Sequence, residues 1–359
     1  MKAPEARLAT SLTAPQLFDG RAVVQGLALG AGGGVLFNLL NMPLSWMLGA
    51  MCLTTAASLA GVKVQVPGGV RTVMIAVLGV MLGSVFSPEV FDNLARWAHG
   101  FIALIIYVAI IAAFGVLYFM KVAGLDRVTA YFSAMPGGLS EMVLVGDALG
   151  GDGRTISLIH TVRILILVLV IPVYFRFVQG LDVPATAQTG SISGLDMGDA
   201  AILVACGLAG FWLARRLKVP AAGLVGPMAL SAAIHLAGLT QSHPPAEIIA
   251  VAQIGVGAAI GCRFAGVSIR RVAHILRLGA VSAILMLALT AALAWGVESL
   301  GGTSFFVMVL ALAPGGLAEM SLIALALGAD TVFVSTMHIV RIAIIITLAP
   351  FAYRLLPTR

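Results

Sequence analysis

Apolar segments of roughly 17 to 24 residues, joined by short connections, recur along this chain from one end to the other. Each is long enough, as a helix, to cross a hydrocarbon core about 30 Å thick, so the pattern predicts an all-α protein that passes through a membrane many times. Charge agrees with this, since only 10% of the 359 residues are charged and 60% are hydrophobic, where a soluble domain carries about 25% charged residues. No stretch leaves room for a folded domain in water. The 21 Lys and Arg exceed the 15 Asp and Glu. They lie in short groups between apolar segments, where orientation signals belong, and so are read as topology and not as a nucleic-acid footprint. Residues 1–20 are polar, with Pro4, Pro15 and Asp19, and lack the apolar core of a secretory signal, so they are expected to remain as a cytoplasmic tail. Cys52, Cys206 and Cys262 have no metal-type spacing and read as small buried apolar residues.

The chain contains itself twice. A shift of 178 residues places Pro136 on Pro314, Glu141 on Glu319, Asp152 on Asp330, Ser157 on Ser335, His160 on His338 and Arg163 on Arg341 without a gap. Upstream, Gly79 and Gly83 fall on Gly257 and Gly261, and a slip of one residue then aligns Pro43 and Gly49 with Pro220 and Gly226. The expected organisation is a tail (1–20), a first repeat (21–177), a linker (178–197) and a second repeat (198–359).

Each repeat holds six apolar segments, and the fifth contains a Pro-Gly-Gly. Its arms of about 8 to 12 residues suit either a broken spanning helix or a hairpin that dips in and returns. If both fifth segments cross, Lys and Arg split 10 to 9 between the two sides, which is no bias. If both return, each repeat crosses five times and the second is inverted. Then 17 Lys and Arg face the cytoplasm, Arg215, Arg216, Lys218, Arg270, Arg271 and Arg277 among them. Arg96 and Arg176 lie outside, and Arg163 and Arg341 remain within the membrane. The positive-inside rule favours the second arrangement, with both termini cytoplasmic and the linker external.

Proline and two glycines force a helix to stop and restart at membrane depth. Such a break is tolerated only inside protein or beside water, so both tips are expected within the bundle. A restarted helix offers free N–H groups and a positive dipole end, suited to an anion. Gly137, Gly138, Ser140, Gly315 and Gly316 are the candidate tip residues for a substrate. Glu141 and Glu319 follow in the first turn, as helix caps or as groups that bind a coupling ion. Ser157, His160 and Arg163, like Ser335, His338 and Arg341, form a polar stripe at a spacing of three. The arginines need partners: the glutamate of the same repeat, or the carboxylate of a substrate held by two bonds. His160 and His338 are candidates for moving a proton or for a hydrogen-bonded packing role. Asp152 and Asp330 read as helix N-caps, and the paired glycines as close helix contacts.

At "PGGLSEM…HTVR" and "PGGLAEM…HIVR" the chain resembles the AbrB-duplication family of bacterial integral membrane proteins, and the resemblance covers most of its length. It implies an inner-membrane location, while labels used in that family imply gene regulation or ammonia oxidation. The residues point elsewhere. Six scattered histidines do not make a copper centre, and no basic module in water is present to bind DNA. Broken segments in inverted repeats are instead the mark of secondary transporters. The expectation is therefore no enzyme and no cofactor. It is a carrier for a small polar or anionic metabolite, coupled to protons or sodium, whose partners are substrate, ion and lipid bilayer, with a homodimer left open. A membrane sensor acting indirectly on gene expression is the alternative, and a membrane-bound monooxygenase a more distant one.

Overall fold

A computed structural model describes residues 19–88, 97–180, 190–267 and 269–355. The tail before Asp19, Arg96, the linker residues 181–189 and the side chains of Arg270, Arg271 and Arg354 lie outside the described residues. The described residues form fourteen α-helices and no strand. The first repeat contributes α1 (Gly20–Leu39), α2 (Ser45–Leu59), α3 (Gly68–Gly83), α4 (Ala98–Lys121), α5 (Arg127–Ala134), α6 (Leu139–Ala148) and α7 (Gly153–Phe177). The second contributes α8 (Met197–Arg216), α9 (Ala222–Leu236), α10 (Ala246–Gly261), α11 (Ile269–Ser299), α12 (Phe305–Leu312), α13 (Leu317–Ala326) and α14 (Thr331–Leu355). The bounds of α3, α5, α6 and α7 return, 178 residues on, as those of α10, α12, α13 and α14. Those of α1 and α2 return after 177 residues as α8 and α9.

The same local devices set these bounds in both copies. Asp19 and Asp196 cap α1 and α8, each accepting from the main-chain N–H two residues on. Asp152 accepts from the N–H groups of Arg154 and Thr155, and Asp330 from that of Phe333 at 2.9 Å, as expected of N-caps. Asn41 and Leu44 adopt left-handed backbone around Pro43, as Lys218 and Ala221 do around Pro220.

Among the described residues, seven helices are long and apolar enough to cross a membrane: α1, α4, α7, α8, α10 with the turn following it, α11 and α14. The chain is thus a polytopic all-α membrane protein. Helices α2, α3 and α9 have 15 or 16 residues, or about 22 to 24 Å, short of a full core. They lie where lipid is largely replaced by neighbouring helices. Gly79 and Gly83 sit against the backbone of α9 at Leu224 and Met228, while Gly257 and Gly261 sit against α2 at Met47 and Met51. Gly33 and Gly49 bring α1 onto α2, as Gly210 and Gly226 bring α8 onto α9. Ser58 donates to Gly261 O at 3.0 Å and Ser231 to Val80 O at 2.8 Å, tying one repeat to the other.

Two bundles result, each built from both repeats. Helices α1–α3 and α8–α10 pack on one another through these glycines, and α4–α7 and α11–α14 form a second body. Contact between them is sparse and runs chiefly through α3 on α13 and α2 on α7. Within the second body the broken segment doubles back on itself. The N–H of Asp152, just past α6, donates to Thr129 Oγ1 at the start of α5 (2.8 Å), and Gly146 of α6 lies against Phe132 of α5.

Candidate functional site

Helix α5 ends where Met135 turns to extended backbone (φ −60°, ψ 129°) ahead of Pro136, and α12 ends likewise at Ala313 (φ −49°, ψ 133°) ahead of Pro314. The chain restarts with Gly138 and Gly316 as N-caps. Glycine has no side chain with which to cap, and the glutamate three residues on replaces it. The carboxylates of Glu141 and Glu319 fold back over these glycines so closely that a Cβ on either glycine would collide with them. Both glycines have negative φ, so room and not backbone freedom requires them. A carboxylate here also complements the positive end of the restarted helix.

The last carbonyls of α5 and α12 lose their helical partners at the break, and the polar stripes of α7 and α14 take them up. Arg341 is 1% exposed. Its Nη1 donates to Ala313 O at 2.6 Å and Leu312 O at 3.3 Å, and its Nη2 to Gly315 O and His338 Nδ1, both at 3.0 Å. Arg163 is 2% exposed and donates to Met135 O at 3.4 Å and His160 Nδ1 at 3.0 Å. His160 Nε2 meets Phe132 O at 2.8 Å, and His338 Nε2 meets Leu310 O at 2.9 Å. A carbonyl only accepts and a guanidinium only donates, so each ring carries its proton on Nε2 and is neutral. The carboxylates of Glu141 and Glu319 are not what these hydrogen bonds reach. The charge of each arginine faces the negative ends of α5 and α12, and its histidine orients it.

Both breaks open onto one cavity of about 730 Å³ between the two bundles. Gly137, Gly138, Ser140, Glu141 and Arg163 line it from the first repeat, and Gly315, Gly316, Glu319 and Arg341 from the second. Every sequence-selected site residue thus converges there except His160 and His338, which stand behind the arginines with no exposed surface. The Nε atoms of Arg163 and Arg341 are buried without a hydrogen-bond partner.

Three groups at this site were not singled out from sequence. Tyr107 of α4 is fully buried, with its hydroxyl in electrostatic reach of Arg163 and Arg341. Arg71 and Arg263 belong to the wall and lie in electrostatic reach of Glu319. None of the three has a counterpart at the repeat shift, where Leu285, Ile249 and Val85 stand. Duplication, the signal that marked the tips, is blind to them. A lone tyrosine in an apolar run, or an arginine a turn inside one, is the only trace they leave.

The chain also resembles known proteins along its length. It is 29% identical over 357 residues to the uncharacterized protein YhjN of Bacillus subtilis (strain 168), covering 92% of each chain. It is 25% identical over 349 residues to the putative regulator AbrB of Escherichia coli (strain K12), covering 96% of this chain and 98% of the other. The family model described as transition state regulatory protein AbrB matches residues 46–357, which span both broken segments, both Arg–His pairs and the cavity between the bundles. This protein of duplicated apolar helices belongs to the AbrB family of membrane proteins.

Proposed function

We propose that the protein is a secondary transporter of the bacterial inner membrane for a small anionic or polar metabolite, driven by a proton or sodium gradient. One observation carries this reading: the two unwound tips, with their helix N-termini, glutamates and arginines, meet in a single cavity between two sparsely joined bundles. Broken helices paired at a repeat interface are how membrane carriers place a substrate at mid-depth. The doubling back of α5 onto α6 supports re-entrant hairpins, hence five crossings per repeat, inverted repeats and both termini in the cytoplasm. Glu141 and Glu319 are the coupling groups in this reading. His160 and His338 hold the arginines, since a proton on Nδ1 would cost the arginine bond.

Alternating access follows if the hairpin bundle moves against the glycine-locked bundle. Uptake measured in proteoliposomes under imposed proton and sodium gradients tests it. Gradient-driven flux lost in Glu141→Gln and Glu319→Gln, with the proteins still folded, is the expected result, and flux indifferent to both substitutions sinks it. The regulatory names carried by the family and by the E. coli relative favour a second reading, a membrane sensor that binds the same ligand. Ligand binding without flux would select the sensor. Enzyme activity is not part of the proposal.

A further inference from the structure

The two broken segments make the floor of the cavity nearly symmetric, but its wall is not. Arg71, Arg263, Arg215 and Lys218 line it in addition to the paired arginines, and at the repeat shift they face Ile249, Val85, Asn38 and Asn41. Six cationic side chains therefore surround two carboxylates. They are graded by depth: Arg215 and Lys218 are exposed at the mouth, Arg71 and Arg263 half-buried along the wall, and Arg163 and Arg341 buried at the floor.

Orientation in the membrane accounts for the exposed cations but not for the wall pair. A topological arginine reaches out to water, whereas the Nε of Arg71 is buried without a partner. Arg263 stands in electrostatic reach of Arg71 and of Glu319. Two guanidiniums brought together in a partly desolvated wall repel, and a single carboxylate leaves the set positive. With the floor included, the four guanidiniums of Arg71, Arg263, Arg163 and Arg341 against the carboxylates of Glu141 and Glu319 leave two positive charges, which an anion of two negative charges balances.

Resting on the transport reading for its location, we propose that the cavity binds a small dianion. One anionic group is held by the wall arginines Arg71 and Arg263, the other by the floor, at the unwound tips and the unpartnered Nε–H groups of Arg163 and Arg341. A planar guanidinium takes a carboxylate, phosphate or sulfate group by two bonds, and about 730 Å³ accommodates two such groups on a short chain. The wall belongs to the glycine-locked bundle and the floor to the hairpin bundle, so a dianion bridges the two bodies where a monoanion cannot. The exposed Arg215 and Lys218 draw anions toward the mouth.

The purified full-length protein tests this by thermal shift and calorimetry at constant ionic strength and pH 7.5. Butyrate is the monoanion, compared with succinate, malonate, tartrate and sulfate. At least one dianion should raise the melting temperature well above the effect of butyrate, as a ligand of the folded state does. Arg71→Gln with Arg263→Gln should weaken that dianion by about tenfold or more, a larger loss than the same pair causes for butyrate. Arg71→Lys with Arg263→Lys keeps the charge and serves if the first pair fails to fold; it should lose part of the preference, a point charge replacing a two-bond grip. The proposal is overturned if no dianion exceeds butyrate, or if either pair keeps the full preference. Dianion binding without flux in proteoliposomes would sink transport alone. Flux of a monoanion indifferent to Arg71 and Arg263 would sink the dianion alone.

Discussion

Arg341 satisfies three carbonyls freed by the break at Pro314, at Leu312, Ala313 and Gly315, while Arg163 has one, Met135 O, at its longer reach of 3.4 Å. A lysine offers one point of charge in place of a planar fork, so Arg341→Lys should orphan carbonyls that cost about 1–3 kcal/mol each when buried and unpaired. Arg163→Lys should cost less. Melting temperatures of the two purified variants check this, and equal losses would show the extra carbonyl bonds to be without weight. A related contrast holds at the caps. Glu319 is 8% exposed, packed in by its surroundings, whereas Glu141 is only partly buried. An added methyl must displace the carboxylate in either case, so Gly316→Ala should destabilise clearly more than Gly138→Ala. The sequence disclosed that these positions matter, because each occurs twice. It did not disclose that Arg163 and Arg341 face helix ends, since a carbonyl carries no sequence signal, and the partners it suggested were the glutamate of the same repeat or a substrate carboxylate.

At the level of elements, the two breaks and the helix starts that follow them were legible in the sequence, since the breakers Pro136 and Pro314 and the caps Asp152 and Asp330 act locally. The lengths of α2, α3 and α9 were less legible. Their shortness becomes affordable only when another helix replaces lipid, and the choice of α9 for α3, or of α10 for α2, is a long-range outcome. What the sequence offered was glycines at a spacing of four, and those pairs do mark the crossings. The contacts are backbone on backbone: a Cβ on Gly226 would meet Gly210 O and on Gly49 would meet Gly33 O, with no flexible side chain to give way. Gly226→Ala and Gly49→Ala should therefore each destabilise the protein by about 1–3 kcal/mol, as overpacking does. Gly207→Ala, on the same face of α8 but with only Val80 at ordinary contact distance, should be nearly silent. Thermal unfolding of the three variants decides whether those crossings are as tight as they look.

The whole molecule is less symmetric than its sequence. Ser140 is exposed at the first tip, whereas Ala318, 178 residues on, is 7% exposed, and Glu141 is only partly buried where Glu319 is buried. The cavity wall on this side includes Lys218 to Ala221 and Arg71, all on the face that the positive-inside rule assigns to the cytoplasm. In the proposed orientation the first tip is therefore the more exposed one at the cytoplasmic mouth, and the second lies deeper in the same cavity. If the two repeats are inverted copies, each shows the conformation the other adopts when access switches. The rearrangement need not break the glycine-locked bundle, because contact between the two bodies is sparse. Cysteine labelling gives the test, with Cys52, Cys206 and Cys262 first replaced by serine or alanine. In vesicles of known orientation, Ser140→Cys should react with an impermeant thiol reagent from the cytoplasmic face, Ala318→Cys should be protected, and a cysteine at Ser191 should react only from outside. Conditions that drive the other state should reverse the first two, exposing position 318 to the outside and protecting 140. Labelling of Ser191→Cys from the cytoplasm would remove the inverted topology. A reversal at only one of the two tips would remove alternating access, because inverted copies cannot change state one at a time without leaving the cavity open to both sides or to neither.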